Sequence, residues 1–474
     1  MFILASIYDK IYALSPTWVQ NIGISFYGWI WNHRRFSGNF QKFVLEYQSR
    51  ETFTEEDWLN YQSSKLRKVL GYAYLNVPYY RNLFINIGLQ NFQQFSLGDL
   101  QNIPSLEKET IRQGPQAFIS QAKNIPKLFP YHTSGTTGTP IDILFSKDMH
   151  RNWSAAYDVR VRGWAGVNHK MSRAMIGGRM VVPKANSNPP FWRYNRVERQ
   201  LYMSAFHISP QNASHYVKAL NHYQPDYLVG YASSHFFLAR FILEQGLKVI
   251  KPKAILTSSE KLTAEMREVI EQAYNCEVFD AYSGVEACCL VSECKHHNLH
   301  ISPDVGIIEI LDENGNPVTP GQPGEIVATG LLNFEQPLIR YRTGDMAILS
   351  DEKCACGRHM PILKELVGRL EDTVIGLDGR ETVRFHGIFI DLPNVVEGQV
   401  IQETLTDFVV RLVVKPGFGE NEKQLIRNRF QSRLGTINLQ YEIVDRIERT
   451  HAGKFKAVMS KVKRSDTISS HGRQ

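Results

Sequence analysis

A polar loop at residues 131–140, with the sequence YHTSGTTGTP, is the feature that most restricts what this chain can fold into. Two glycines, four threonines and one serine in ten residues cannot form part of a hydrophobic core. They can form a loop whose backbone N–H groups and hydroxyls converge on a polyanion. Gly135 and Gly138 let the backbone approach a ligand closely, while Ser134, Thr136 and Thr137 offer hydroxyl donors. The stretch therefore predicts a phosphate-binding loop, with a polar surface turn as the alternative.

Composition restricts the class of protein more broadly. The chain has 474 residues, 43% hydrophobic and 21% charged, which is typical of a globular protein of two or three domains. Its net charge of +7 suits a nucleotide, an acidic substrate or a membrane surface equally. Because the sequence has neither a basic stripe nor a known nucleic-acid-binding module, we expect no nucleic-acid partner. Six cysteines do not make a disulfide scaffold at this length, and no cleavable signal peptide is evident, so we expect a cytoplasmic protein.

The first 45 residues are rich in aromatic side chains, including Trp18, Phe26, Trp29 and Trp31, followed by basic residues at 33–35. No stretch stays apolar over the ~20 residues needed to span a bilayer. Two alternatives remain for this segment. It packs against the rest of the protein, or it forms a peripheral helix at the inner face of a membrane, where aromatic residues flanked by basic ones are favoured.

The middle of the chain alternates between helical and strand patterns. Residues 55–76 show apolar spacings of three and four that predict a helix ending near Pro78. A helix at 211–223 is followed by buried strands at 227–231, 254–257 and 276–280. This alternation predicts a parallel α/β sheet with site residues at the strand ends. The proline-containing stretch 185–196 is predicted to be a loop near the substrate.

The loop at 131–140 resembles the phosphate-binding signature of the adenylate-forming superfamily, which includes acyl-CoA synthetases, luciferases and the adenylation domains of peptide synthetases. Companion motifs follow in the expected order: YSGVE at 282–286, IRYRTGD at 339–345 and RTHAGKFK at 449–456. The resemblance covers nearly the whole chain and is strongest to the phenylacetate-CoA ligase-like branch, including the CapK-type proteins associated with capsular polysaccharide genes.

The resemblance implies a fold and a domain organisation. We expect an α/β fold in which residues 1–369 form a large domain with mixed and parallel sheets, its first 100 residues mainly helical. Residues 370–474 are expected to form a small, mobile α+β lid.

The resemblance also implies a role for each motif residue. Tyr282 would stack on adenine, and Glu286 would hold the magnesium ion that bridges the ATP phosphates. Asp345 would accept hydrogen bonds from the ribose hydroxyls. Lys454 would bridge the α-phosphate and the attacking carboxylate. The other predicted site residues are the catalytic Thr133, the nucleotide-binding Ser134, Gly135, Thr136, Thr137, Gly138, Ser259, Glu260, Ser283 and Arg369, and the hinge residue Glu371.

The chain departs from the superfamily pattern at four positions. Ser283 and Val285 replace a glycine and a threonine or serine, Glu371 replaces the usual hinge aspartate, and Glu448 stands where a proline is common. Valine cannot donate a hydrogen bond to a phosphate or a carboxylate. Either Ser283 supplies that contact, or the contact is absent.

Four residues form a second candidate site: Cys294, His300, Cys354 and Cys356. Three thiolates and one imidazole complete a tetrahedral zinc sphere, and similar sets in the resembling branch hold a structural metal. His296 and His297 are alternatives to His300. Four protein ligands leave no position for an activated water, so we expect a structural Zn²⁺.

The resemblance implies an AMP-forming ligase that converts a small carboxylic acid and ATP, with Mg²⁺, to an acyl-adenylate and pyrophosphate. Transfer to CoA, another thiol or an amine would follow, with a role in surface polysaccharide biosynthesis as one destination. The alternative is a catalytically degenerate nucleotide-binding component of a membrane-associated polysaccharide assembly. Val285, Glu448 and the aromatic N-terminus favour that alternative.

Overall fold

The structure is a computed structural model. It describes residues 12, 14–132, 141–177, 181–182, 188–312, 314–367, 374–377, 381–382, 388–389, 392–445, 447 and 458–462. The predicted α/β class is confirmed by a large mixed sheet with helices packed against it.

In chain order the α-helices are α1 (Thr17–Phe36), α2 (Phe40–Ser49), α3 (Glu55–Asn76), α4 (Pro78–Asn86), α5 (Lys108–Gln113), α6 (Lys147–Ala156), α7 (Ala213–Tyr223), α8 (Ala232–Glu244), α9 (Ala264–Tyr274) and α10 (Glu420–Leu434). Short 3₁₀ segments occur at Arg50–Thr52, Leu97–Asn102, Pro115–Phe118 and Ala205–His207, and Tyr157–Arg162 continues α6 as a π-helix.

The strands are β1 (Phe129–His132), β2 (Asp142–Phe145), β3 (Arg173–Gly177), β4 (Trp192–Asn195), β5 (Gln200–Ser204), β6 (Tyr227–Gly230), β7 (Ile255–Ser258), β8 (Val278–Ser283), β9 (Leu290–Glu293), β10 (Leu299–Ile301), β11 (Gly306–Leu311), β12 (Pro323–Gly330), β13 (Tyr341–Ser350), β14 (Ile362–Leu366), β15 (Val374–Ile375), β16 (Glu381–Thr382), β17 (Val395–Gln402), β18 (Asp407–Val414), β19 (Asn438–Ile443) and β20 (Val458–Ser460).

Local signals fix the ends of the predicted helix over residues 55–76. Thr54 and Asp57 form a reciprocal capping box, which satisfies N–H groups at the start of α3. The helix ends at Asn76, and Pro78 begins α4 at a position where its missing N–H costs nothing. The predicted helix and its end are confirmed.

The large sheet has 12 strands in the order β11-β12-β13-β14-β10-β9-β8-β7-β6-β3-β5-β4. Only the segment from β8 to β5 is parallel, and helices α7, α8 and α9 connect β5 to β6, β6 to β7 and β7 to β8. The carboxyl ends of β6, β7 and β8 therefore lie side by side at one edge.

The prediction of a loop across residues 185–196 is wrong for its second half. Strand β4 occupies Trp192–Asn195 and pairs antiparallel with β5 as the edge of the large sheet. The sequence did not indicate this strand, because the two prolines just before it favour a loop. Along β4 the side chains are alternately half-buried and buried, and the strand packs against α1.

The last hundred residues contain a separate sheet and core. Strands β17 to β20 form a four-stranded sheet. They share with α10 a hydrophobic cluster whose buried members all come from residues 374–458, including Phe408 and Phe430. The predicted boundary between residues 369 and 370 lies outside the described residues and stays a prediction.

Within the part of the chain that the structure describes, none of the helices combines the length and apolar character that crossing a bilayer requires.

Candidate nucleotide site and cysteine–histidine cluster

Two neighbouring strand ends carry the predicted nucleotide residues. Strand β7 is followed by Ser259 and Glu260, and β8 ends with Tyr282 and Ser283. Because β6, β7 and β8 are parallel neighbours, these side chains lie at one edge of the sheet. Ser259 has a positive φ of 73°, which turns the chain sharply after β7.

Glu260 has a structural partner at this edge. Its Oε2 accepts hydrogen bonds from the Ser233 N–H at 3.1 Å and the Ser233 hydroxyl at 2.5 Å. Ser233 lies in the first turn of α8, so the carboxylate satisfies an N–H group where the helix dipole favours negative charge. Glu260 thus joins the turn after β7 to the helix after β6, and its contact with adenine stays a prediction.

Tyr282 and Asp345 meet in the structure, although 63 positions separate them. The Tyr282 hydroxyl donates a hydrogen bond to Asp345 Oδ2 at 2.9 Å. Burial, reinforced by the Asp345 charge, raises the pKa of Tyr282 well above its ordinary value, so the phenol remains a donor. The residues predicted to contact adenine and ribose are therefore adjacent.

Glu286 lies in the turn between β8 and β9 and is held by Tyr341. The buried Tyr341 hydroxyl donates to Glu286 Oε1 at 3.1 Å. The other carboxylate oxygen lies so close to Gly284 that a Cβ there would be 2.4 Å from it. Any side chain at position 284 would therefore displace the carboxylate. Cys288 and Cys289, just after the turn, are buried and pack as small apolar residues.

The arginines on either side of Tyr341 each form an ion pair with a glutamate. Arg340 is buried, and its Nε donates to Glu309 Oε2 at 3.0 Å. The Arg342 guanidinium pairs with Glu325. These ion pairs fix the backbone on both sides of Tyr341, so its hydroxyl is directed at Glu286 by the fold.

The base of the predicted phosphate loop is well defined. Strands β1 and β2 form an antiparallel hairpin in which His132 pairs with Asp142, and residues 133–140 connect them. Gln336 accepts a hydrogen bond from the Leu144 N–H at 2.6 Å, and Asn333 donates to the Leu144 carbonyl at 3.0 Å. One hydrophobic cluster contains Ile141 together with Tyr341, with Tyr282 packed against it. The hairpin and the Tyr282–Asp345 pair therefore share one core.

Several predicted site residues lie outside the described residues. They are Thr133, Ser134, Gly135, Thr136, Thr137, Gly138, Arg369, Glu371 and Lys454. Their roles stay predictions.

One titratable residue at this edge was missed by sequence reasoning. Asp280 lies in β8 two positions before Tyr282, and Thr257 donates a hydrogen bond to it at 2.8 Å. Burial raises the pKa of Asp280 to about 7, and the nearby Glu293 carboxylate adds to the rise. The sequence pattern could have indicated Asp280, because residues two apart in a strand share a face and Tyr282 was already a predicted site residue.

The four predicted metal ligands come together. Their ligand atoms all lie within 4.8 Å of one another. Cys294 Sγ is 3.6 Å from Cys354 Sγ, and Cys356 Sγ is 3.3 Å from His300 Nε2. A tetrahedral site with Zn–S bonds of about 2.3 Å separates two sulfurs by about 3.8 Å, close to the observed spacing. His300, rather than His296 or His297, completes the cluster.

Hydrogen bonds around the cluster suit thiolate ligands. Cys354 Sγ accepts from the Cys356 N–H at 3.4 Å and from Asn298 Nδ2 at 3.2 Å. Burial raises the pKa of Cys354, but these bonds and the one from Cys294 outweigh it and bring the pKa below its ordinary value. His300 Nδ1 is 3.3 Å from the Met360 carbonyl, which leaves Nε2 for a metal.

A family profile and curated relatives match this chain. The profile of the CapK C-terminal domain matches residues 381–461. Protein CapK of Staphylococcus aureus is 28% identical over 465 residues, which are 96% of this chain and 100% of CapK. The phenylacetate-coenzyme A ligase of Thermus thermophilus is 24% identical, over 85% of this chain and 89% of the ligase. That of Pseudomonas putida is 26% identical, over 74% and 77%.

Solved structures of a 2-hydroxyisobutyryl-CoA ligase share the fold. The complex with 2-HIB-AMP and CoA in the thioesterification state aligns with a TM-score of 0.60, at 20% identity over 89% of this chain and 93% of the ligase. The postadenylation state with R3-HIB-AMP aligns with a TM-score of 0.56, at the same identity and coverage. At this level of identity the likeness concerns the fold.

Proposed function

The chain is homologous to CapK and to the phenylacetate-CoA ligases and belongs with them to the adenylate-forming superfamily, and we propose from this that it activates a carboxylic acid with ATP. The acid forms an acyl-adenylate with release of pyrophosphate. CoA then takes the acyl group and AMP leaves. The proposed enzyme is thus an AMP-forming acid–CoA ligase that works in the cytoplasm.

The observation that carries this proposal is the meeting of two motifs at the carboxyl end of β8. The Tyr282 hydroxyl donates a hydrogen bond to Asp345, and the Tyr341 hydroxyl donates one to Glu286. Two carboxylates from separate parts of the chain are therefore held near the end of β8. Asp345 is an acceptor suited to two ribose hydroxyls. Glu286 offers a carboxylate oxygen, the donor that a hard cation prefers.

In the first step, a carboxylate oxygen of the acid attacks the α-phosphorus in line, and the bond from that phosphorus to the bridging oxygen of pyrophosphate breaks. Residues 133–139 would supply hydroxyl and N–H donors to the phosphates. Glu286 would hold Mg²⁺, which neutralises phosphate charge when bound. Lys454 would stabilise the charge that spreads over the attacking carboxylate and the α-phosphate.

In the second step, the thiol attacks the acyl carbonyl, the bond to the adenylate oxygen breaks, and AMP leaves with the electron pair. We propose that residues 370–474 form the lid whose reorientation about Glu371 separates the two steps, with Arg369 at its large-domain side. The separate core of residues 374–458 supports this division.

The names of the relatives bear on the choice of acid and acceptor. The relatives named as phenylacetate-coenzyme A ligases favour CoA and a small acid. The similarity to CapK leads us to propose a second destination as well, because CapK-type proteins are associated with capsular polysaccharide genes. There an amine or a sugar of a surface polysaccharide would accept the acyl group. The ligase relatives favour catalysis over the degenerate nucleotide-binding component.

The test is ATP–pyrophosphate exchange with a panel of carboxylic acids that includes phenylacetate, hydroxy acids and uronic acids. We expect exchange with at least one acid. Asp345→Ala should raise the KM for ATP about tenfold, because a charge-assisted hydrogen bond to ribose is lost. Asp351→Ala, at an exposed aspartate just past β13, is the matched control and should leave KM unchanged. Nucleotide binding without exchange on any acid would instead support the binding component.

We also propose that Cys294, His300, Cys354 and Cys356 hold a structural Zn²⁺. The observed spacing fits a tetrahedral sphere, and the four protein ligands would close it. The ion would clamp the β9–β10 hairpin to the loop before β14, since Cys294 and His300 come from the hairpin and Cys354 and Cys356 from the loop.

Metal analysis tests the zinc site directly. We expect about one zinc per chain in the purified wild-type protein, and loss of most of it in Cys354→Ser and in Cys356→Ser. Cys276→Ser, at a free cysteine outside the cluster, is the matched control and should keep its zinc. Unchanged zinc content in both cluster variants would remove the site.

A further inference from the structure

Helix α1 has an inner face that is packed against the protein. Asn21 Oδ1 accepts a hydrogen bond from the Tyr194 N–H at 3.0 Å. Gly28 lies so close to Asn195 that a Cβ there would be 2.1 Å from Asn195 Nδ2. Arg35 forms a 2.5 Å ion pair with the buried Glu198. These contacts fix the helix along strand β4 and the turn after it, and they determine which side points outward.

The outward side is apolar and exposed. Its large side chains are Trp18, Ile22, Phe26, Trp29 and Ile30, with exposures of 65%, 60%, 64%, 58% and 40%. The spacings of three and four place them along one face of the helix. The rings of Phe26 and Trp29 stack at 6.2 Å, so part of the stripe is continuous. From Trp18 to Trp29 the stripe is roughly 17 Å long. An apolar stripe of this kind on a surface marks an interaction site.

The segment that carries the stripe has charged residues of one sign. Between Lys10 and Leu45 the sequence contains no aspartate or glutamate. The exposed Arg196 is tied to the helix, because its N–H donates to Ser25 Oγ at 3.1 Å. The exposed Lys127 lies 5.7 Å from the Phe129 ring, on which the Arg34 guanidinium also stacks. The positive charge of these side chains next to the stripe is therefore complementary to a negatively charged partner.

We propose that the outward face of α1 binds the surface of an anionic lipid bilayer, with the helix axis parallel to the membrane plane. Tryptophan is favoured at the headgroup level, where its ring meets acyl chains and its N–H meets water. Apolar side chains on one helix face, with cations beside them, are the chemistry of interfacial helices. The planar surface of a bilayer matches a long stripe whose large side chains are exposed from Trp18 to Ile30. This inference goes beyond the ligase function and does not depend on it.

Co-sedimentation of the full chain with lipid vesicles tests the proposal. We expect binding to vesicles of phosphatidylcholine mixed with phosphatidylglycerol, and weaker binding to phosphatidylcholine alone. Trp18→Ser combined with Trp29→Ser should lower the partition coefficient at least about tenfold. The matched control is Leu59→Ser combined with Leu75→Ser, which removes two exposed leucines of α3 and should bind like the wild type.

A second variant tests the charge. Arg196→Glu should weaken binding to the anionic vesicles about fivefold or more and leave binding to phosphatidylcholine unchanged. Circular dichroism of all variants confirms that they are folded, and exchange activity provides an independent check. Equal binding by the tryptophan variant and the wild type overturns the proposal. A second result would also overturn it: the wild type is a dimer, the tryptophan variant is a monomer, and neither protein binds vesicles. The face would then join two copies of the chain.

Discussion

Replacing Lys454 with alanine is expected to lower ATP–pyrophosphate exchange by about 10²–10³-fold. Negative charge spreads over the attacking carboxylate and the α-phosphate as the first step proceeds, and the ammonium is the proposed group that meets it. An interaction made mainly in the transition state lowers kcat and kcat/KM together when it is removed. The KM for ATP should therefore change little, in contrast to Asp345→Ala.

The second half-reaction separates this role from a general loss of folding. Supplied with the synthetic acyl-adenylate and CoA, Lys454→Ala should form the thioester at close to the wild-type rate. Lys461→Ala is the matched control, since Lys461 lies in the same unit and pairs with Glu403 at the surface at 2.7 Å. Exchange by Lys454→Ala within about threefold of the control would exclude the proposed role.

Asp304→Ala is expected to destabilise the large unit by about 3–5 kcal/mol. Asp304 is fully buried and accepts hydrogen bonds from Arg160 Nη2 at 2.9 Å and from Arg50 Nε at 2.7 Å, with Arg160 Nη1 also paired to it. Burial alone would raise the pKa of Asp304, but the two guanidinium groups hold it below its ordinary value. Without the carboxylate, two buried cations lose their main partner. Urea unfolding measures the change.

Acid provides an independent test of the same group. Because the pKa of Asp304 is lower in the folded protein, its stabilising contribution is present above the unfolded pKa of about 3.9 and is lost as the pH falls through the folded value. The stability difference between wild type and Asp304→Ala should therefore shrink in strong acid. Asp351→Ala, an exposed control, should stay within about 0.5 kcal/mol of the wild type. A midpoint of Asp304→Ala equal to this control would contradict the prediction.

The sequence was most informative where the signal is local. Helix α3 was predicted from its apolar spacing and its end from Pro78, and both depend on residues within a few positions of one another. The alternation of helices and strands around β6, β7 and β8 predicted neighbouring strand ends for the same reason. The cysteine–histidine grouping was predicted from residue type, although Cys294 and Cys354 are 60 positions apart.

Long-range contacts had no comparable signal. Arg358 Nε donates to Glu51 Oε2 at 2.6 Å across 307 positions, and Glu51 also accepts from Arg160 and Trp164. This links the cluster loop to the buried Asp304 network. Neither residue is distinguished by its sequence neighbours. Strand β4 was missed because its partner helix α1 lies far away in the chain, and an edge strand of four residues leaves little periodicity to detect.

Helix α1 also contacts the hairpin of β1 and β2, which flanks the predicted phosphate loop. The ring centroids of Trp31 and Tyr131 are 5.8 Å apart. Tyr131 is the residue before the last one of β1, and its hydroxyl lies 2.9 Å from His150 Nδ1. One helix thus carries the outer stripe and contacts the strand that leads into the predicted phosphate loop. If a bilayer prefers one position of that helix, vesicles change the affinity for ATP. By thermodynamic reciprocity, ATP changes the affinity for vesicles by the same factor.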